Sequence, residues 1–264
     1  MSTFKIYNED CINTMKKINK IGGKVDLVLT SPPYNTGRNS GNKERGMKNH
    51  ERRYDIYLEE RNSSEYIDWT IDIFNHYDSI LKENGCILYN MSYGNENPEQ
   101  MYLTISEIIA KTNFTIADTI IWKKKSALPN NVSHNKLTRI CEFVFVFCRK
   151  NEYKTFVTNK KVKSQSKTGQ NFYENIYNFV EAKNNDGSNK LNKATYSSDL
   201  CEQLLRIYAK ENAIVYDSFN GTGTTGVACL KLGLNYIGSE LSEEQCKFSI
   251  ERLNEVLGEN GCIA

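Results

Sequence analysis

Short apolar runs alternate with helically periodic stretches along most of the chain. Phe4-Lys5-Ile6-Tyr7-Asn8 alternates apolar and polar positions, the mark of a half-buried strand, and a helix is expected from Cys11 to about Asn19. After the Gly22-Gly23 turn, Val25-Asp26-Leu27-Val28-Leu29 reads as a buried strand. It stops at Pro32-Pro33, because proline lacks the amide donor that a sheet ladder needs. These pieces predict a β-α-β opening. From Ser64 the pattern turns helical, with Ile67, Ile71, Phe74, Tyr77 and Leu81 on one face, Ser63 or Ser64 as cap and Asn84-Gly85 as stop. Strands are expected over 86–91, 115–122 and 141–148, with a helix over roughly 98–111. The 141–148 run is apolar on both faces except at Glu142, so it belongs inside the sheet, and it pairs with 115–122 as an antiparallel edge. Late in the chain, a strand over 213–217 leads through the loop Ser218-Phe219-Asn220-Gly221-Thr222-Gly223-Thr224-Thr225-Gly226 into a helix from Val227. A last strand, 235–238, ends at Glu240.

Composition changes this picture in one respect. The 264 residues suit one large α/β domain, and the formal charge is only +2. Residues 123–167, however, carry twelve Lys or Arg against two acidic residues, a local +10, which leaves −8 on the rest. That asymmetry suggests a polyanion as partner, against the plainer alternative of a solvated charged face. In 149–193, lysines 160, 161, 163 and 167 alternate with Phe156, Phe172, Tyr173, Tyr177 and Phe179, as suits a nucleic-acid surface or a small aromatic subdomain. Residues 36–62 lack periodicity and are rich in Arg38, Lys43, Arg45, Lys48, Arg52 and Arg53, as expected of a functional flap. The eight cysteines form neither a C-x-x-C pair nor a metal-ligand spacing with the three histidines. They point to a reduced, intracellular (cytoplasmic) protein, and no apolar run is long enough for a membrane span.

Two stretches carry candidate chemistry. Thr30-Ser31-Pro32-Pro33-Tyr34-Asn35 follows a strand's carboxyl end, where open α/β sheets place ligands. The Ser31 hydroxyl and the Pro32 carbonyl can accept the two N–H groups of an amine on a planar ring, while Tyr34 offers a stacking face. The glycine loop contains G-x-G-x-x-G, with Glu240 nineteen residues past Gly221 at ribose-binding distance, so a dinucleotide fold is an alternative. Asp217 weighs against it. A carboxylate there repels a pyrophosphate but attracts a cationic amino acid moiety, which favours S-adenosylmethionine over NAD. As a loop carboxylate, Asp217 is expected to be exposed and to contribute little to packing.

The pair Thr30-Ser-Pro-Pro-Tyr34 and Asp217-x-Phe-x-Gly-x-Gly-Thr-Thr225 resembles the motifs of the DNA amino-methyltransferases in the β class, where the catalytic motif precedes the cofactor motif. The likeness covers nearly the whole chain. It implies a circularly permuted, seven-stranded, mostly parallel Rossmann-like sheet with helices on both faces and the first strand beside the 235–238 strand. It further implies an S-adenosylmethionine site formed by Asp10, Cys11, Thr195, Asp217, Phe219, Asn220, Gly221, Gly223, Thr224, Glu240 and Leu241. A base flipped from double-stranded DNA would meet Ser31, Pro32, Pro33 and Tyr34, with Arg38, Arg52, Arg53, Lys124, Lys160, Lys161 and Lys163 on the DNA. By this resemblance 1–148 is the catalytic core with its 36–62 loop, 149–193 the target-recognition region and 194–264 the cofactor-binding part of the core. Serine in the first clamp position is commoner in the family's cytosine-N4 enzymes, so cytosine is the expected target and adenine N6 the alternative. A catalytically dead DNA-binding relative and an NAD-dependent oxidoreductase are remoter alternatives, and a cognate restriction endonuclease and a homodimer are left open as partners.

Overall fold

The computed structural model describes residues 2–35, 61–94, 97–127, 129–131, 134–187 and 195–258. Strand β1 (Phe4–Asn8), helix α1 (Cys11–Lys20) and strand β2 (Val25–Thr30) form the expected opening. Helix α2 (Ser63–Ile80) leads directly into β3 (Leu81–Met91), followed by α3 (Gln100–Lys111), β4 (Phe114–Lys124) and β5 (Cys141–Arg149). A short hairpin of β6 (Val162–Gln165) and β7 (Asn171–Tyr173) precedes β8 (Phe179–Ala182). The chain closes with α4 (Ser198–Tyr208), β9 (Ile214–Asp217), α5 (Thr224–Lys231), β10 (Asn235–Glu240) and α6 (Glu243–Leu257).

The main sheet has the order β1-β10-β9-β2-β3-β5-β4-β8. β1 lies parallel to β10, with Phe4 opposite Tyr236 and Asn8 opposite Glu240, which is the permuted arrangement the motif order implies. The sheet has eight strands rather than seven. The extra one is β8, which docks parallel to β4, so the antiparallel β4–β5 pair expected at the edge is itself covered. Sequence periodicity missed β8 because only its Val180 and Ala182 are buried, too short an alternation to stand out from an aromatic, basic segment.

Helices cover both faces. On one, α1, α2 and α3 pack over a cluster containing Val28, Phe74, Tyr77, Ile87, Phe114 and Phe147; on the other, α4, α5 and α6 pack over Leu29, Leu88, Val146, Leu204, Val215 and Ala228. The alternation Val28/Leu29 in β2 feeds successive side chains to opposite clusters, as the pleat requires.

Helix α2 departs from expectation in three details. Its cap is Asn62, whose Oδ1 accepts the Glu65 N–H at 2.9 Å while the Glu65 side chain accepts the Asn62 N–H at 3.1 Å, a reciprocal box that outcompetes Ser63 or Ser64. Its buried face runs through Tyr66, Thr70, Ile73, Phe74, Tyr77 and Ile80, so Ile67 and Ile71 lie at the margin. It ends at Ile80, and Asn84-Gly85 instead falls inside β3, with Asn84 at φ +55°. Among the described residues, no helix is long and apolar enough to cross a membrane.

Phe74 sits at the centre of one core, edge-on to Tyr77, Tyr89, Phe114 and Phe147 at centroid distances of 5.4, 5.2, 5.8 and 5.0 Å. Such pairs add to area burial. Phe74→Ala is expected to cost about 3–5 kcal/mol in urea unfolding through the cavity it leaves. A loss below about 1 kcal/mol would show that this cluster does not hold α2 to the sheet.

Candidate active site

The two chemically marked stretches meet because β2 and β9 are neighbours, with Val28 opposite Tyr216. Both strands end at the same edge of the sheet, and the hydroxyl of Thr30, fully buried, donates to Asp217 Oδ1 at 2.7 Å. Asp217 also accepts the Thr225 hydroxyl at 2.6 Å, the Phe219 N–H at 3.0 Å and, more weakly, the Tyr196 hydroxyl at 3.4 Å. It is only 1% exposed, so the reading of Asp217 as an exposed loop carboxylate is corrected. Burial pushes its carboxyl up from the ordinary value, opposed by the bonds from Thr225, Thr30, Phe219 and Tyr196.

A single cleft opens beside this carboxylate. Asp10, Cys11, Thr195, Asp217, Phe219, Asn220, Gly221, Thr224, Glu240 and Leu241 line it, and Ser31 and Pro33 form part of the same wall. Asp10 is fixed as the cap of α1, accepting the Ile12 N–H at 2.8 Å. Glu240 is fixed at both oxygens, by the Gly221 N–H at 2.8 Å and the Ser242 N–H at 3.0 Å. Asn220 is buried, and its Oδ1 accepts the Tyr236 hydroxyl at 2.9 Å. Gly223 is not part of the cleft wall. It stands at φ +80° at the start of α5, where a Cβ would lie 2.5 Å from Ser249 Oγ, so glycine is needed there for packing against α6.

The Ser-Pro-Pro-Tyr segment divides in the same way. Ser31 and Pro33 face the cleft, whereas Pro32 and Tyr34 are buried behind it. The Pro33 carbonyl accepts the Tyr66 hydroxyl at 2.8 Å. Tyr34 is 9% exposed and its ring packs into the α2-side core, so the expected stacking face is not presented; the polar end of the residue carries its contacts instead. Tyr34 Oη lies 2.9 Å from Ser31 Oγ and donates to Glu142 Oε2 at 3.1 Å. Lys124, expected on DNA, is paired with Glu142 in this network.

Sequence patterns had not singled out Trp69 and Arg61, which complete the cleft. The Trp69 ring lies 5.6 Å from that of Phe219, and the Arg61 guanidinium sits 4.4 Å over Trp69. The available signal was a tryptophan outside the buried stripe of α2. Glu9, Tyr196, Ser218, Thr225, Ser239 and Gln245 also line the cleft. Arg38, Arg52 and Arg53 fall outside the described residues. Lys160, Lys161 and Lys163 lie at or beside the β6–β7 hairpin and, like Lys154 and Lys167, make no side-chain ion pair among the described residues. In contrast, Lys123, Lys124, Lys125 and Arg149 are paired with Glu181, Glu142, Asp199 and Asp78. Lysines at and beside the hairpin are thus, among the described residues, without a side-chain ion pair.

A permuted, Rossmann-like sheet with an acidic, glycine-lined cleft at its carboxyl edge defines a ligand-binding α/β enzyme class. The DNA methylase family, comprising N6 and N4 enzymes, matches residues 25–251, and the chain belongs to it. It is 26% identical to the Type II methyltransferase M.BglII of Bacillus subtilis, over 97% of this chain and 70% of that protein. It is 21% identical to the DNA adenine methyltransferase YhdJ of Escherichia coli (strain K12), over 94% of this chain and 82% of that protein. In fold it is similar to the cytosine-N4-specific PvuII DNA methyltransferase, with a TM-score of 0.70 at 18% identity, covering 99% of this chain and 89% of the other.

Truncating Asp217 removes the acceptor of a buried backbone N–H and of three hydroxyl groups. Asp217→Ala is expected to lower the unfolding free energy of the ligand-free protein by roughly 1–3 kcal/mol, the cost of unsatisfied buried donors. Equilibrium urea denaturation checks this, and unchanged stability would mean the donors re-pair among themselves.

Proposed function

We propose that the protein transfers a methyl group from S-adenosylmethionine to the exocyclic amino group of a base swung out of double-stranded DNA, with cytosine N4 as the favoured target. The observation that carries this reading is the Thr30–Asp217 bond, which sets the amine-accepting Ser31 and the acidic glycine loop on the walls of one cleft.

The residues present fit the cofactor. Glu240 brings a carboxylate to the cleft wall for ribose hydroxyls, the Gly221 backbone allows close approach at φ +52°, Phe219 and Trp69 supply apolar walls, and the buried Asp217 provides negative potential for a cationic amino acid group. When bound, S-adenosylmethionine supplies a methyl group activated by its sulfonium. The chain's own part is positioning. Ser31 Oγ, on the cleft wall, accepts an N–H of the target amine and turns the nitrogen lone pair out of conjugation toward the methyl group; Pro32, buried behind the wall, is not given the second acceptor role expected of its carbonyl. The flanking prolines hold this geometry without relying on a flexible backbone. Residues 149–193 would meet the DNA, with the unpaired lysines of the hairpin on phosphates.

Serine at position 31 favours cytosine. Adenine N6 is the second reading, supported by the likeness to an enzyme named for adenine. Incubation of the protein with DNA and labelled S-adenosylmethionine, followed by mass spectrometry of the nucleosides, tests both: N4-methylcytosine is expected, N6-methyladenine would move the target to adenine, and no methylated base would refute the reading. Binding of NADH in preference to S-adenosylmethionine would identify an oxidoreductase instead.

Ser31→Ala is expected to slow single-turnover methylation by about 10²–10³, the usual loss for one preorganised donor or acceptor, with cofactor affinity retained. A wild-type rate would make the segment a structural turn. Replacing Lys160, Lys161 and Lys163 together with Ala is expected to flatten the slope of log K against log salt for DNA by about two to three units. An unchanged slope and affinity would assign these lysines to a solvated face.

A further inference from the structure

Behind the cleft wall, Ser31, Tyr34, Asn90, Glu142 and Lys124 form one connected polar cluster drawn from the segment after β2 and from β3, β5 and β4. Counting donors and acceptors fixes its direction. Glu142 Oε1 is paired with Lys124, and Oε2 lies 3.1 Å from Tyr34 Oη and 2.9 Å from Asn90 Nδ2. Glu142 offers acceptors, so the Tyr34 hydroxyl hydrogen points at it, and the carboxylate likewise selects the amide orientation of Asn90 with Nδ2 inward. Asn90 Nδ2 also donates to Tyr34 Oη, while Asn90 Oδ1 is buried without a partner, an arrangement tolerated because the opposite orientation would set oxygen against carboxylate. Tyr34 has one hydrogen, already committed, so at the 2.9 Å contact between the two hydroxyls it is Ser31 that donates and Tyr34 that accepts. The Ser31 hydrogen is thus turned away from the cleft; Asn90 Nδ2 reaches Ser31 Oγ only at 3.5 Å, a weak contact, so the oxygen can still accept an incoming N–H.

We propose that Glu142 is the positioning residue that sets the polarity of the Ser31 clamp, acting through the Tyr34 hydroxyl. This rests on the amino-methyltransferase reading above and deepens it: it explains why Tyr34, buried as a ring, matters through its hydroxyl, and why the polar Glu142 interrupts an otherwise apolar strand. Without the carboxylate the Ser31 hydroxyl is free to rotate and spends part of its time donating toward the cleft, where it opposes the amine's own hydrogens. Lys124 serves the same end by holding the carboxylate in place.

The test compares single-turnover methylation of DNA by wild type, Glu142→Gln, Tyr34→Phe, Ser31→Ala and the double variants Glu142→Gln/Ser31→Ala and Tyr34→Phe/Ser31→Ala, beside S-adenosylmethionine and DNA titrations. Glu142→Gln and Tyr34→Phe should each slow methyl transfer by about tenfold or more, equivalent to about 1.4 kcal/mol of orientation, with both binding affinities unchanged. In the Ser31→Ala background neither should slow it further, because the hydroxyl they orient is gone. If Glu142→Gln fails to fold, Tyr34→Phe, which keeps the ring, carries the same comparison. A wild-type rate for Tyr34→Phe, or an undiminished effect of either substitution on top of Ser31→Ala, would overturn the proposal. Absence of methyl transfer by the wild type would instead refute the underlying enzymatic reading.

Discussion

A carboxylate with four donors around it, buried at the carboxyl edge of a parallel sheet, is the constraint on which the rest of this site depends. Asp217 binds a hydroxyl from β2, a hydroxyl and a backbone amide from its own loop and helix, and a tyrosine from the segment before α4. Burying a charge is costly unless it is fully hydrogen-bonded, so the four segments must arrive together or the site does not form. This is why the Ser-Pro-Pro-Tyr segment and the glycine loop, nearly two hundred residues apart in sequence, occupy one cleft.

The permuted chain order follows from the same geometry. A parallel sheet needs a strand beside β10, and β1 supplies it, with the Tyr236 N–H bonded to the Thr3 carbonyl at 2.9 Å and the Asn8 amide bonded to the carbonyls of Glu240 and Leu241. The beginning of the chain is thereby made part of the cleft through Asp10 and Cys11. The opposite half of the sheet, where β5 runs antiparallel between β3 and β4, brings Glu142 and Lys124 up behind Ser31. One end of the sheet therefore builds the glycine-loop wall of the cleft and the other packs behind Ser31.

Charge is used in two different ways. Where cations lie against the sheet, as with Lys124, Lys125 and Arg149, they are matched by carboxylates and act within the fold. Where they lie on the hairpin they are unmatched among the described residues, beside exposed Phe172, Tyr173 and Tyr177. Net charge along the sequence does not distinguish the two.

The amino-acid sequence by itself determined seven of the ten described strands, most of the helices and the two marked loops. These are recorded locally: period-two and helical spacing, prolines that end β2, glycines that admit positive φ, and an acidic residue at a fixed distance from the loop. Motif order was enough to place β1 beside β10, because a doubly wound sheet leaves few alternatives. Tertiary structure alone decided that Asp217 is buried, that Tyr34 contributes its hydroxyl rather than its face, that Trp69 and Arg61 close the cleft, that Gly223 serves packing, and that β8 extends the sheet. Each of these depends on which side chain from a distant segment arrives opposite, and hydrogen-bond pairing and close packing across the sheet leave no periodic trace in the residues that take part.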